Sequence, residues 1–227
     1  MRTTLLLAVV LSLPPGELAA QSLDERIDRV KNGTVRFAFP ARAGVCGDGR
    51  HNISVRRHDH DEWTSDCEEG PVRIALDRAE GRTVALRTYV GGRWGATGAI
   101  DLETVRSAEA TAWLLALAER NEPASDDAIF PATLGEGVEV WPSLLRIARS
   151  ARVSHQTRKS AIFWLGQEAG AAATKGLDSI VADENGDREV RESAIFALSQ
   201  RPRDEGVPAL IRVVRTNRDP RLRKTAL

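Results

Sequence analysis

Ala128-Ile129-Phe130, Ala161-Ile162-Phe163 and Ala194-Ile195-Phe196 recur at intervals of 33 residues, without a gap. The same offset superposes Leu144, Leu177 and Leu210, then Ile147, Ile180 and Val213, then Ala148, Val181 and Val214. Coincident registers at one period mark a solenoid of stacked units, each able to bury its apolar face only against its neighbours. The expected fold of the carboxyl-terminal part is therefore an all-α superhelix.

Each unit reads helix A, turn, helix B. The A helices are expected to start near Ser125, Thr157 and Val190, with Ala128, Ala161 and Ala194 small enough to let neighbours approach. Ser154, Asp187 and Asp219 precede successive A helices as N-caps, and Pro142, Pro208 and Pro220 suit a first helical turn. Pro131 sits inside the first A helix and should kink or shorten it, since forcing it straight costs about 3 kcal/mol. Upstream, Thr104 to Arg120 carries an apolar arc including Trp113, Leu114, Leu115 and Leu117, and Asn121-Glu122-Pro123 ends it. Lying outside the register, this segment (104–123) reads as a capping helix. The repeats then occupy 124–156, 157–189 and 190–221, with the start of a further one at 222–227.

Asp187-Arg-Glu-Val-Arg191-Glu-Ser-Ala194-Ile-Phe-Ala-Leu198 and Asp219-Pro-Arg-Leu-Arg223-Lys-Thr-Ala226-Leu227 resemble short HEAT-like repeats, of the type also found in bilin lyases. The resemblance covers 124–227. It implies an armadillo-like superhelix of helix pairs whose inner surface binds a partner. No bilin-binding or catalytic motif is matched, so lyase activity is not implied. The stretches Gly44-Val-Cys46-Gly-Asp-Gly49 and Thr88-Tyr-Val-Gly-Gly-Arg-Trp94 resemble a region that precedes such repeats in exported bacterial HEAT-repeat proteins. Because Leu227 falls within the motif that opens a fourth A helix, a longer protein is expected.

The amino terminus carries its own signals. Met1-Arg2-Thr3-Thr4, an apolar run from Leu5 to Leu13, and Leu18-Ala19-Ala20 read as a secretory signal cleaved after Ala20, giving a periplasmic or extracellular protein. No later apolar run is long enough to span a membrane. Lysine plus arginine and aspartate plus glutamate number 32 each, so the overall field gives no bias toward nucleic acid or anionic lipid. In an oxidising compartment Cys46 and Cys67 are expected to form a disulfide, with free thiols or half a metal site as the alternatives. Closing a loop of about 20 residues is worth roughly 3 kcal/mol.

Residues 22–103 read as a small α+β module. Ser22 caps a short helix running to Lys31, and Thr34 to Phe39 alternates as a half-buried strand closed by Pro40. Gly44 to Gly49 is a turn-rich knot around the first cysteine, Ile53 to Val55 a short strand, and Arg56 to Glu69 an irregular loop. Pro71 to Asp77 and Thr83 to Val90 form a hairpin through Glu80-Gly81. The glycine-rich loop from Gly91 to Gly98 lacks the P-loop ending and the Rossmann spacing, so it reads as a flexible crossing with Trp94 packed at the junction with the helices. Asn32-Gly-Thr34 and Asn52-Ile-Ser54 match the glycosylation pattern but read as turn and strand-edge residues.

Two surfaces carry candidate chemistry. His51, His58, Asp59, His60, Asp61 and Asp66 are metal-ligating types, and His58 and His60 share one side of an extended segment, with Asp61 beside them. Their spacing matches no closed zinc pattern, and charged runs between turns are usually solvated loops. On the B helices, Arg146, Arg149, Arg212 and Arg215 form a basic stripe suited to the carboxylates of an acidic protein segment, interrupted at Ser179 and Ala182. There is no Gly-x-Ser-x-Gly elbow, no His-Glu-x-x-His and no paired-cysteine zinc motif, and Ser154-His155 shows no acid partner. The reading is an exported scaffold for protein–protein contact, without catalysis or cofactor, nucleic acid or membrane span. A regulator of an envelope protease or signalling pathway is a special case of it. The alternative is a metal-binding enzyme or sensor using residues 51–66.

Overall fold

The computed structural model describes residues 21–50, 52–55, 67–95, 98–168 and 171–227. The expected leader through Ala20, and the candidate metal residues His51, His58, Asp59, His60, Asp61 and Asp66, lie outside the described residues. Within them, a small β-rich region is followed by a run of packed α-helices.

The first part runs α1 (Leu23–Asp28), β1 (Gly33–Phe39), β2 (Val45–Gly47), β3 (Ile53–Val55), β4 (Glu68–Glu69), β5 (Val72–Ala79), β6 (Arg82–Val90) and β7 (Ile100–Thr104). Strands β6, β5, β1 and β7 form a four-stranded sheet in that order. The β5–β6 hairpin is antiparallel, as the alternation and Glu80-Gly81 predict, and β1 adds antiparallel to β5. Strand β7 pairs parallel to β1. The apolar arc of 104–120 predicts a helix starting at Thr104. Thr104 instead ends this strand, because pairing continues until the Val105 amide donates to the Ala38 carbonyl at 2.8 Å.

Alternation along the strands assigns two faces. Val35, Phe37 and Phe39 with Val72, Ile74 and Leu76 are fully buried on one face. Against them pack α1 and α2 (Ser107–Glu119). Phe37 meets Trp113 of α2 edge-on, at 6.0 Å between ring centroids. Helix α1 stops three residues before the expected Lys31, and its Arg26 reaches across to the Leu102 carbonyl at 2.6 Å. Strands β3, β2 and β4 form a second, three-stranded sheet. The turn-rich knot therefore contains a strand, in which buried Cys46 is disulfide-bonded to Cys67 with 5.3 Å between Cα atoms.

The helical run continues with a 3-10 turn (Asp126–Ala128), α3 (Ile129–Ala132), α4 (Trp141–Arg149), α5 (His155–Gln167), α6 (Ala171–Ala182), α7 (Arg188–Ser199), α8 (Val207–Thr216) and α9 (Pro220–Thr225). Pro131 falls in the four-residue α3, the shortening expected of it. Ser154, Asp187 and Asp219 each accept from backbone amides at the starts of α5, α7 and α9. Pro142, Pro208 and Pro220 occupy first-turn positions. Ala128, Ala161 and Ala194 are fully buried. Helix α5 lies against α4 and α7, and α7 against α6, α8 and α9. The α5–α7 approach is close enough that a Cβ on Gly166 would come within 3.0 Å of the Ala197 Cβ.

A further position recurs. Four residues after their caps, Arg191 donates to the Val181 carbonyl at 3.0 Å and Arg223 to the Asn217 carbonyl at 2.8 Å. Each guanidinium thus closes the carbonyl end of the preceding helix, where the partial charge is negative. One continuous apolar core runs from the sheet into the helices.

Candidate functional site

The arginines of the B-helix stripe sit on α4 and α8, and most are engaged within the chain. Arg146 pairs with Glu119, Arg149 bonds the Ser179 hydroxyl at 2.5 Å, and Arg212 pairs with Asp178 at 2.5 Å. Arg215 is exposed. A partner that used this stripe would have to exchange those internal contacts for its own carboxylates.

The A helices present a different surface. In the repeated triads the alanine and isoleucine turn inward, whereas the phenylalanines of α5 and α7 turn outward: Phe163 is 47% and Phe196 59% exposed. Phe130, one period earlier, stacks on Trp164 at 4.8 Å, and Phe163 meets Trp164 edge-on. A groove of about 520 Å³ runs between Phe163 and Phe196, rimmed by Lys159, Arg188, Glu189, Glu192 and Arg221. Arg188 faces Glu192 at 3.8 Å, while Lys159 and Arg221 make no ion pair among the described residues.

His155 at the start of α5 has acidic neighbours that its sequence position did not reveal: its Nε2 lies 3.3 Å from Glu189 and 3.7 Å from Asp187. They arrive from the cap and first turn of α7, one period away. The Ser154 hydroxyl is occupied as the helix cap, bonding the Thr157 amide at 3.0 Å and its hydroxyl at 2.8 Å. No nucleophile–base pair results. Among the described residues no group of three or more His, Cys, Asp or Glu side chains is disposed to hold a metal ion.

The open face of the four-stranded sheet carries a hollow of about 560 Å³. Across the strands, Arg36, Ala75 and Arg87 are register partners, as are Ala38, Arg73 and Tyr89. Ala75 leaves room between two long cationic side chains, and this makes the floor. Arg87 holds Asp77 through two bonds of 2.7 and 2.9 Å, and Thr34 donates to the same carboxylate. The Arg87 bonds hold the Asp77 carboxyl below its usual range. Arg36 pairs with Asp101 at 2.8 Å.

Trp94 corrects the sequence reading. It packs on this open face, not at the junction with the helices: its ring lies 4.9 Å from the Arg73 guanidinium, 5.1 Å from that of Arg36, and 6.1 Å from the Tyr89 ring. The glycines before it send it there. Gly91 and Gly92 take positive φ of 70° and 63°, and a Cβ on Gly92 would come within 2.9 Å of Gly49. Only bare backbone lets the loop fold over the first-cysteine turn.

No family model, curated protein or solved structure matches this chain. The signal that would have found the sheet site is alternation: Arg36, Arg73, Arg87 and Tyr89 all occupy outward positions of strands whose inward positions are mostly apolar. The described residues include no helix long and apolar enough to cross a membrane.

Proposed function

We propose that this chain is an exported scaffold of HEAT-like repeats, a binding rather than a catalytic protein, which engages a protein segment through the outer face of its A helices. The observation that carries this is the pair Phe163 and Phe196, large aromatic side chains left in solvent at the same position of consecutive units. Exposed aromatic groups clustered beside a groove mark contact surfaces, and aromatic residues are enriched where proteins meet. The cations of Lys159 and Arg221 on the rim favour a segment that alternates apolar with acidic side chains. The 33-residue period and the recurring caps support the repeat assignment.

The test is affinity capture from an envelope fraction with the mature chain and with a Phe163→Ser/Phe196→Ser variant. Both rings are about half exposed, so the variant should stay folded and lose roughly 1–2 kcal/mol. A species retained by the parent and lost from the variant supports the proposal, particularly if raised salt also releases it. Identical recovery by both proteins overturns it.

A further inference from the structure

We propose that the hollow on the open sheet face binds a small organic carboxylate, its anionic head held by Arg73 and Arg93 and its apolar body lying beside Trp94 and Ala75. This is independent of the helical surface, from which the sheet face is separated by the core.

Arg73 is the deeply buried cation of this face. Only 4% of this residue is exposed, yet it makes no ion pair among the described residues, and its Nε is buried with no hydrogen-bond partner. Its Nη2 reaches the carbonyls of Gly91 and Gly49, which supply partial charge but no counter-ion. Glu68, the acid whose charge acts on it, accepts from the Gly92 amide at 2.9 Å. Of the three other buried arginines, Arg191 places its Nε on the Val181 carbonyl at the end of α6, and two have an acid. Arg78 has Asp28 at 3.2 Å, and Arg201 has Glu205 at 2.8 Å. A buried cation without an acid is costly, and the cost is relieved when a ligand brings the missing charge.

The surroundings define that ligand. Arg93 also lines the hollow, is exposed, and makes no ion pair among the described residues. Arg36 and Arg87 are already matched by Asp101 and Asp77, so the unmatched positive charge is concentrated at Arg73 and Arg93. Guanidinium groups bind carboxylates through parallel hydrogen bonds. Trp94, Tyr89, Ala75 and Ala99 make the remaining wall largely apolar, which an inorganic anion would leave unfilled. A volume of about 560 Å³ lies within the range of small-molecule sites.

The experiment follows the arginine Nε–H resonances of the intact, disulfide-bonded protein by NMR while benzoate, its neutral analogue benzamide, or inorganic phosphate is added. Benzoate is expected to shift the Arg73 and Arg93 signals saturably, and benzamide to leave them unmoved. Arg93→Gln, at an exposed position, should fold normally and weaken benzoate about tenfold, the loss of one charge-assisted contact. Arg73→Lys retains the cation without the planar fork and should abolish saturable binding. Equal shifts with benzoate and benzamide would overturn the proposal by showing a merely apolar hollow. Saturation by phosphate alone, or by none of the three, would overturn it as well.

Discussion

Phe37 of β1 and Trp113 of α2 meet edge to face, with ring centroids 6.0 Å apart and planes at 84°. The contact joins the sheet to the first helix of the helical run, and both residues belong to the one continuous core. The β-rich region and the helices should therefore unfold together. Phe37→Ala is expected to cost about 3–5 kcal/mol, the usual range for truncating a buried aromatic side chain. Thermal melts followed in parallel by far-ultraviolet dichroism and tryptophan fluorescence should fall on one transition. Two separated transitions would show that the contact does not couple the parts.

Asp187 accepts the Glu189 and Val190 amides at 2.9 and 3.1 Å, capping α7. The bond from Val190 is the largest influence holding its carboxyl below the ordinary value of 3.8. A folded-state pKa below the unfolded one means that this group's stabilisation is complete above the ordinary value and is lost as pH falls through the lower one. Asp187→Ala should cost about 1 kcal/mol at neutral pH, as cap removals do. Denaturant titrations should show the deficit shrinking in strong acid, and a pH-independent deficit would refute the assignment.

Glu168 behaves in the opposite sense. Burial raises its carboxyl above the ordinary 4.5, opposed by Arg42 and Arg201 and assisted by Glu139. The folded state then binds the proton more tightly, so this group's contribution is full below the unfolded pKa and is lost as pH rises through the folded one. Glu168→Gln should raise the melting temperature at pH 7 and leave it nearly unchanged near pH 4. Destabilisation at pH 7 would mean that the attraction of the two arginines outweighs burial.

The Cys46–Cys67 bridge spans a sequence separation of 21 residues and fastens β2, the middle strand of the smaller sheet. Its loss should cost roughly 3 kcal/mol by loop-closure entropy. Comparing denaturation midpoints of the parent and a Cys46→Ser/Cys67→Ser variant measures this. A variant as stable as the parent would show that strand pairing alone holds the segment.

Much of the helical run was legible because its signals are local. Caps at Ser154, Asp187 and Asp219, first-turn prolines and a break at Pro131 act within a few residues of themselves, and the structure places each where the sequence does. The hairpin was readable for the same reason. Strand β7 was not, since Ile100–Thr104 pairs with a strand more than sixty residues earlier, and its five residues carry only one buried side chain, Leu102. The acids beside His155 and the partners of Arg146 and Arg212 were likewise invisible, because each contact joins residues about thirty positions apart.

The sequence by itself determined the period of the helices, the alternation of the strands and the inward positions, because these follow from backbone geometry and apolar spacing. Only the tertiary structure decided which arginines are already matched by acids and which are not. Ion pairing depends on where distant chain segments converge: Asp101 reaches Arg36 and Asp178 reaches Arg212, whereas no acid pairs with buried Arg73 among the described residues.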